Sequence, residues 1–230
     1  MNKSILFVLL AATCLLTSCG VYQPLIADIP LISKKNDLRV DASLTLLPSI
    51  NSTVSYGLSD KVAIQAYVKD LGPIYYFQGA AGYYKDLGNK CIMEFYTGFG
   101  YGHGSSYNDA NPGDLTGNYQ SYFEQFNIGV SNIGKIHTDY GISLKIGLLH
   151  SNLYDSNFYV PSNHYDFQST STFYSDNSLL LEPTCFVRFG GDKLKFNIKL
   201  GYCWINKFTN KDKYFPYDNL NIGIGLNYRL

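Results

Sequence analysis

Leu220-Asn221-Ile222-Gly223-Ile224-Gly225-Leu226-Asn227-Tyr228-Arg229-Leu230 alternates an apolar residue with a polar one or a glycine, without a break. A period of two puts successive side chains on opposite sides of a pleated ribbon, so this run predicts a β-strand with one apolar face. The same period recurs upstream. Leu194, Phe196, Ile198 and Leu200 alternate with Lys193, Lys195, Asn197 and Lys199, and Leu179 to Arg188 carries Glu182, Thr184 and Arg188 on its polar side. Thr138 to His150, Tyr119 to Ser131, Cys91 to Tyr101 and Tyr75 to Lys85 repeat the pattern. So do Val62 to Val68, Ile50 to Leu58 and Leu38 to Leu46. The count is about ten strands, with eight or twelve inside the error of boundaries set by pattern.

The links between these runs differ in size. Ser59-Asp60, Asp86 to Asn89, Gly134 to Ile136 and Gly190-Gly191 are tight and made of turn residues. Gly102 to Asn118, Ser151 to Asn177 and Asn206 to Pro216 are long, and from the first long one onward every second connection is long. A soluble barrel turned inside out would show the same alternation. Runs of ten residues or more, polar faces holding Lys, Arg, Glu and Asn, and alternating connection lengths favour a barrel in a membrane. Composition agrees: 21 Tyr and 21 Gly stand beside one Trp and two Met, a balance suited to twisted strands and aromatic girdles. Lys plus Arg equals Asp plus Glu at 18 each, so no global field points to nucleic acid. The expected fold is all-β, an antiparallel up-and-down transmembrane β-barrel.

The N-terminus reads as an address. Lys3 precedes an apolar core from Ile5 to Leu16, which is too short to span a bilayer as a helix. Leu16-Thr17-Ser18-Cys19-Gly20 resembles the lipobox of bacterial lipoproteins, in which small residues precede a cysteine that becomes the acylated first residue. That resemblance implies a palmitate-bearing anchor on Cys19. With no Asp at position 20, it also implies sorting to the outer membrane. Val21 to Asp37, with Pro24 and Pro30, reads as a polar, extended connector. The expected organisation is therefore a signal peptide over 1–18, a lipid-anchored tether over 19–37 and a barrel over 38–230.

Gly225, Tyr228 and Leu230 resemble the C-terminal signal by which the barrel assembly machinery recognises outer-membrane barrels, although Ile224 and the non-aromatic last residue depart from it. Lipobox and strand pattern together resemble the broad outer-membrane β-barrel protein family. The resemblance implies a cell outer-membrane protein held in its lipid, with N- and C-termini both periplasmic and an outer-membrane protein partner among its roles. An interior filled by side chains argues against an open general porin. The expected function is structural, or ligand- and partner-binding through the outer loops.

Sites of chemistry are few. Cys185 falls on the apolar face of its strand and Cys203 on the polar face of the next, which opposes a disulfide between them. No spacing of Cys and His suggests a metal, and no cofactor motif is found. His103 shares a long connection with Ser105, Ser106 and Asp109, while His150, Asp155, His164 and Asp166 bracket another. A rim enzyme acting on lipid A or peptide is the rival reading, since His can serve as a base that Asp orients. Polar loops hold such residues by composition, so no catalytic residue is expected. Gly98, Gly100, Gly102 and Gly104 fall every second residue along a strand and read as room inside the barrel. Lys193, Lys195 and Lys199, beside Glu182, read as lumen charges paired across it.

Overall fold

In a computed structural model the described residues are 20–45, 49–70, 72, 74–108, 113–159, 168–211 and 215–230, with backbone alone at 107, 108, 113, 157–159 and 168–170. Eleven strand segments form one sheet: β1 Leu38–Thr45, β2 Ile50–Gly57, β3 Val62–Asp70, β4 Tyr75–Gly88, β5 Cys91–Asn108, β6 Gly113–Ile133, β7 Thr138–Tyr159, β8 Gln168–Gly190, β9 Leu194–Tyr202, β10 Trp204–Lys207 and β11 Leu220–Arg229. β9 and β10 are one strand broken at Cys203, and both pair with β8. Each remaining strand pairs antiparallel with its sequence neighbour, and β11 closes the ring between β9 and β1. The protein is thus an all-β, closed, ten-stranded antiparallel barrel, as the alternation predicts. Closure pairs every strand on both sides at the level of the ring, and only the projecting ends of β5 and β8 lack a second partner strand among the described residues.

The two faces are chemically opposite. Leu44, Ile50, Val54, Phe77, Phe95, Phe126, Ile142, Leu144, Ile198, Ile224 and Leu226 are exposed on the outer wall. Between them on the same strands Asp41, Thr53, Gln65, Glu94, Gln125, Lys145, Glu182, Arg188, Lys199 and Asn227 are buried and point inward. Cys185 faces out and Cys203 in, and both are free thiols. The parity read from sequence holds. Lys195 and Lys199 lie in the lumen as expected, but Lys193 is exposed because it sits in the turn before β9 begins.

One end of the barrel carries tight turns at 58–61, 89–90, 134–137 and 191–193; the other carries the connections at 46–49, 71–74, 109–112, 160–167 and 208–219. The wall is uneven. β1, β2, β3, β9 and β11 run 8, 8, 9, 9 and 10 residues, about what a tilted strand needs to cross a bilayer. β5 to β8 run 18, 21, 22 and 23 residues and project well beyond their neighbours at the loop end. Most of the two long loops expected at 102–118 and 151–177 is therefore strand. In these extensions the inner face is apolar at Leu115, Tyr119 and Leu153 and the outer face polar at Asp114, Asn118 and Asn152, the reverse of the wall below, so the sequence pattern breaks while backbone pairing continues.

The largest departure is the segment expected as a tether. Val21 to Ile32 is buried throughout and runs along the inside of the barrel. Val21 N–H donates to the Pro216 carbonyl (2.9 Å) at the loop end, and Asn36 N–H donates to the Gly57 carbonyl (2.8 Å) at the turn end. The chain is extended, as its prolines suggest, but it is a plug. Gly20, the first described residue, lies at the loop end, while Leu230 N–H meets the Leu38 carbonyl (2.9 Å) at the turn end. The expected signal peptide and Cys19 lie outside the described residues.

Candidate functional site: a lumen closed by its own N-terminal segment

A strand inside a barrel brings backbone donors and acceptors that no sheet partner satisfies, and leaving them unpaired costs free energy. Side chains of the wall meet them instead. Glu182 on β8 accepts from the Leu25 N–H and the Tyr22 hydroxyl, both at 2.9 Å. Asn221 on β11 donates to the Pro24 carbonyl (2.9 Å). Gln65 on β3 and Gln125 on β6 donate to the Asp28 carbonyl at 3.3 and 3.1 Å. Arg39 donates to the Leu31 carbonyl (3.0 Å), and Glu94 accepts from the Ile32 N–H (2.7 Å). Pro24 and Pro30 bring no N–H, which lowers the number of donors the lumen must satisfy.

At mid-lumen the plug is held by charge. The Asp28 carboxylate meets the Arg188 guanidinium at 2.8 Å and the Lys199 ammonium at 3.0 Å, and Lys199 also meets Asp41 at 2.6 Å. All four groups are buried, and charge-assisted bonds in such surroundings are short and strong. Lys145 pairs with Glu182 (3.5 Å) above this belt and Lys195 with Asp139 (2.6 Å) below it. Glu182 was expected to face the β9 lysines; it pairs instead with Lys145 and the plug. At the turn end Arg229 clamps Asp37 at 2.7 Å, closing β11 onto the residues that follow the plug.

Apolar side chains of the plug fill the space between these layers. Val21, Tyr22 and Leu25 pack with Tyr76, Tyr119 and Leu153 near the loop end, where the Tyr22 and Tyr119 rings meet edge to face at 5.2 Å. Ile29 and Leu31 pack with Ile92 and Phe186, and Ile32 with Tyr84 and Tyr96. The glycine column of β5 makes this fit possible, in the sense read from sequence. A Cβ on Gly102 would strike the Tyr119 ring, and one on Gly104 would overlap the Val21 carbonyl.

Among the described residues the rim does not bring together the constellation considered from sequence. His103 lies on β5, where its Nδ1 pairs with Asn118 Oδ1 (2.9 Å), and Thr116 Oγ1 is 3.4 Å from Nε2. His150 on β7 pairs with Asn177 Oδ1 (2.9 Å). Among the described residues neither ring meets a carboxylate. Asp155 is on β7 and Ser105 and Ser106 are on β5, while Asp109, His164 and Asp166 lie outside the described residues.

Sequence reasoning missed the plug, although a signal was present. Val21-Tyr22-Gln23-Pro24-Leu25-Ile26-Ala27-Asp28-Ile29-Pro30-Leu31-Ile32 is mostly apolar, unlike a solvated linker, which is poor in hydrophobic residues. No family model matches the chain, and no curated protein matches it. Among solved structures, a bacterial polysaccharide outer membrane secretin aligns at 9% identity over 86% of this chain and 99% of its own, with a TM-score of 0.24, a likeness too slight to carry an argument about this one.

Proposed function

We propose that this protein is an outer-membrane β-barrel lipoprotein, acylated at Cys19, whose lumen is closed by its own N-terminal segment. It acts as a structural or partner-binding barrel through the strands that project at the loop end, and not as an open porin. One observation carries the reading: exposed apolar side chains ring the outer wall, while the charged side chains at the same level are buried within. In water that arrangement is inverted; in a bilayer it is what the solvent requires. The C-terminal strand β11, with Tyr228 and Leu230 outward, is the segment offered to the barrel assembly machinery.

Depth-dependent substitution tests it. Ile198, at the centre of β9, and Ile136, in a turn, are 39% and 63% exposed. A soluble protein would accept Arg at either position. In a bilayer, Ile198→Arg should cost roughly 2–4 kcal/mol of folding stability in lipid vesicles, and Ile136→Arg no more than about 1 kcal/mol. Equal, small effects at both positions would remove the membrane from the reading. The anchor has its own check. Radiolabelled palmitate should enter the wild-type protein and not Cys19→Ala, and label persisting in that variant would place the acyl group elsewhere.

A further inference from the structure

The plug decides on which side of the membrane an N-terminal lipid can lie. The Val21 and Tyr22 backbone pairs with 216–218 at the loop end: besides the Pro216 bond, Asp218 N–H donates to the Tyr22 carbonyl (3.3 Å). From there to Ser33 the chain descends the lumen, held at Glu182, Asp28 and Glu94. Thirteen extended residues reach about 40 Å, more than the roughly 30 Å of a hydrocarbon core. Cys19 is one residue, about 3.8 Å, from Gly20. It can reach the leaflet at the turn end only if the whole plug unthreads.

We propose that the acyl chains on Cys19 enter the leaflet at the loop end of the barrel, which is the outer leaflet if the loops face outward. This placement rests on the acylation and the outward-facing loops of the reading above. The plug thereby passes an anchor made on the inner side through its own barrel and holds it at the far surface. The rim offers a route. On the β5 to β8 side the wall is tall, whereas β1, β2 and β11 end lower, with Leu44, Ile50 and Leu220 exposed on the outside. Gly20 packs against Tyr217 and Asp218, which lead into β11 on that lower side.

Two measurements test the proposal, with Cys91, Cys185 and Cys203 replaced by Ala. In the first, the unacylated mature chain is refolded into lipid vesicles and spin-labelled at Cys19, together with either Lys211→Cys at the loop end or Gly191→Cys at the turn end. The 19–211 distance should be shorter than the 19–191 distance. The reverse order would overturn the threading. In the second, the acylated protein in intact cells is treated with a membrane-impermeant maleimide. Lys211→Cys should react and Gly191→Cys should not. Reaction at 191 alone would overturn the outward orientation, and with it the outer-leaflet placement, while leaving the threading intact.

Discussion

Deleting Val21 to Ile32, so that Gly20 joins Ser33, should turn a silent barrel into a conducting one in planar lipid bilayers. The barrel wall is closed by its own backbone ladders, from β1 through β11, and among the described residues the segment's one bridge, Tyr22 to Tyr217, lies outside the strands. Removing the plug therefore leaves the ring intact. What it empties is a bore wide enough for one extended polypeptide, lined by Gln65, Glu94, Gln125, Lys145, Glu182, Arg188 and Lys199. These groups can exchange plug contacts for water at little cost, because hydrated charges need no protein partner. Stable conductance steps are expected from the deletion variant and none from the wild type. A variant that folds and inserts but stays silent would mean that side chains alone fill the lumen, as the sequence first suggested.

The second large effect centres on Asp28. Its carboxylate is the plug's only ionic hold on the wall among the described residues, shared between Arg188 and Lys199. Asp28→Asn keeps the shape and removes the charge, leaving two buried cations with Asp41 between them. Removing one partner of a buried pair costs roughly 3–5 kcal/mol, because the remaining charge stays desolvated. A loss of that size is expected in urea unfolding from lipid vesicles, along with bursts of conductance as the plug loosens. Asp28→Asn combined with Lys199→Met should recover part of the loss, since it removes the excess positive charge and leaves Asp41 to Arg188. If Asp28→Asn unfolds at the wild-type urea concentration and never conducts, the central belt does not hold the plug.

Much of the barrel is legible in the chain because alternation reports a boundary between two solvents. Where one face of a strand meets an apolar phase and the other a polar lumen, as in β9 with Ile198 out and Asn197 in, residue choice must alternate. Where β6 and β7 project at the loop end, Asp114, Thr116, Asn118 and Asn152 lie outside and Leu115, Tyr119 and Leu153 inside, so polar and apolar faces are exchanged relative to the wall below and pattern reads the stretch as loop. The plug was illegible for a different reason. Its side chains meet wall residues from many strands at once: Glu182 on β8, Gln65 on β3 and Gln125 on β6 all reach it. No single periodicity encodes such a set. The lumen charges were visible as residues but not as pairs, because Asp28, the partner of Arg188 and Lys199, lies in the segment taken for a tether. For the same reason the lumen face is less tolerant than alternation implies: Asn197 is fully buried and donates to Asp41 (2.7 Å).

The central claim is that the apolar wall meets lipid while the polar wall encloses the plug. It is tested most directly by fluorophores placed singly at positions 198 and 197, in vesicles carrying a lipid-dissolved quencher. Ile198 lies on the outer wall and Asn197 in the lumen, 39% and 0% exposed. The account predicts strong quenching at 198 and little at 197; quenching stronger at 197, or absent at both, would contradict it.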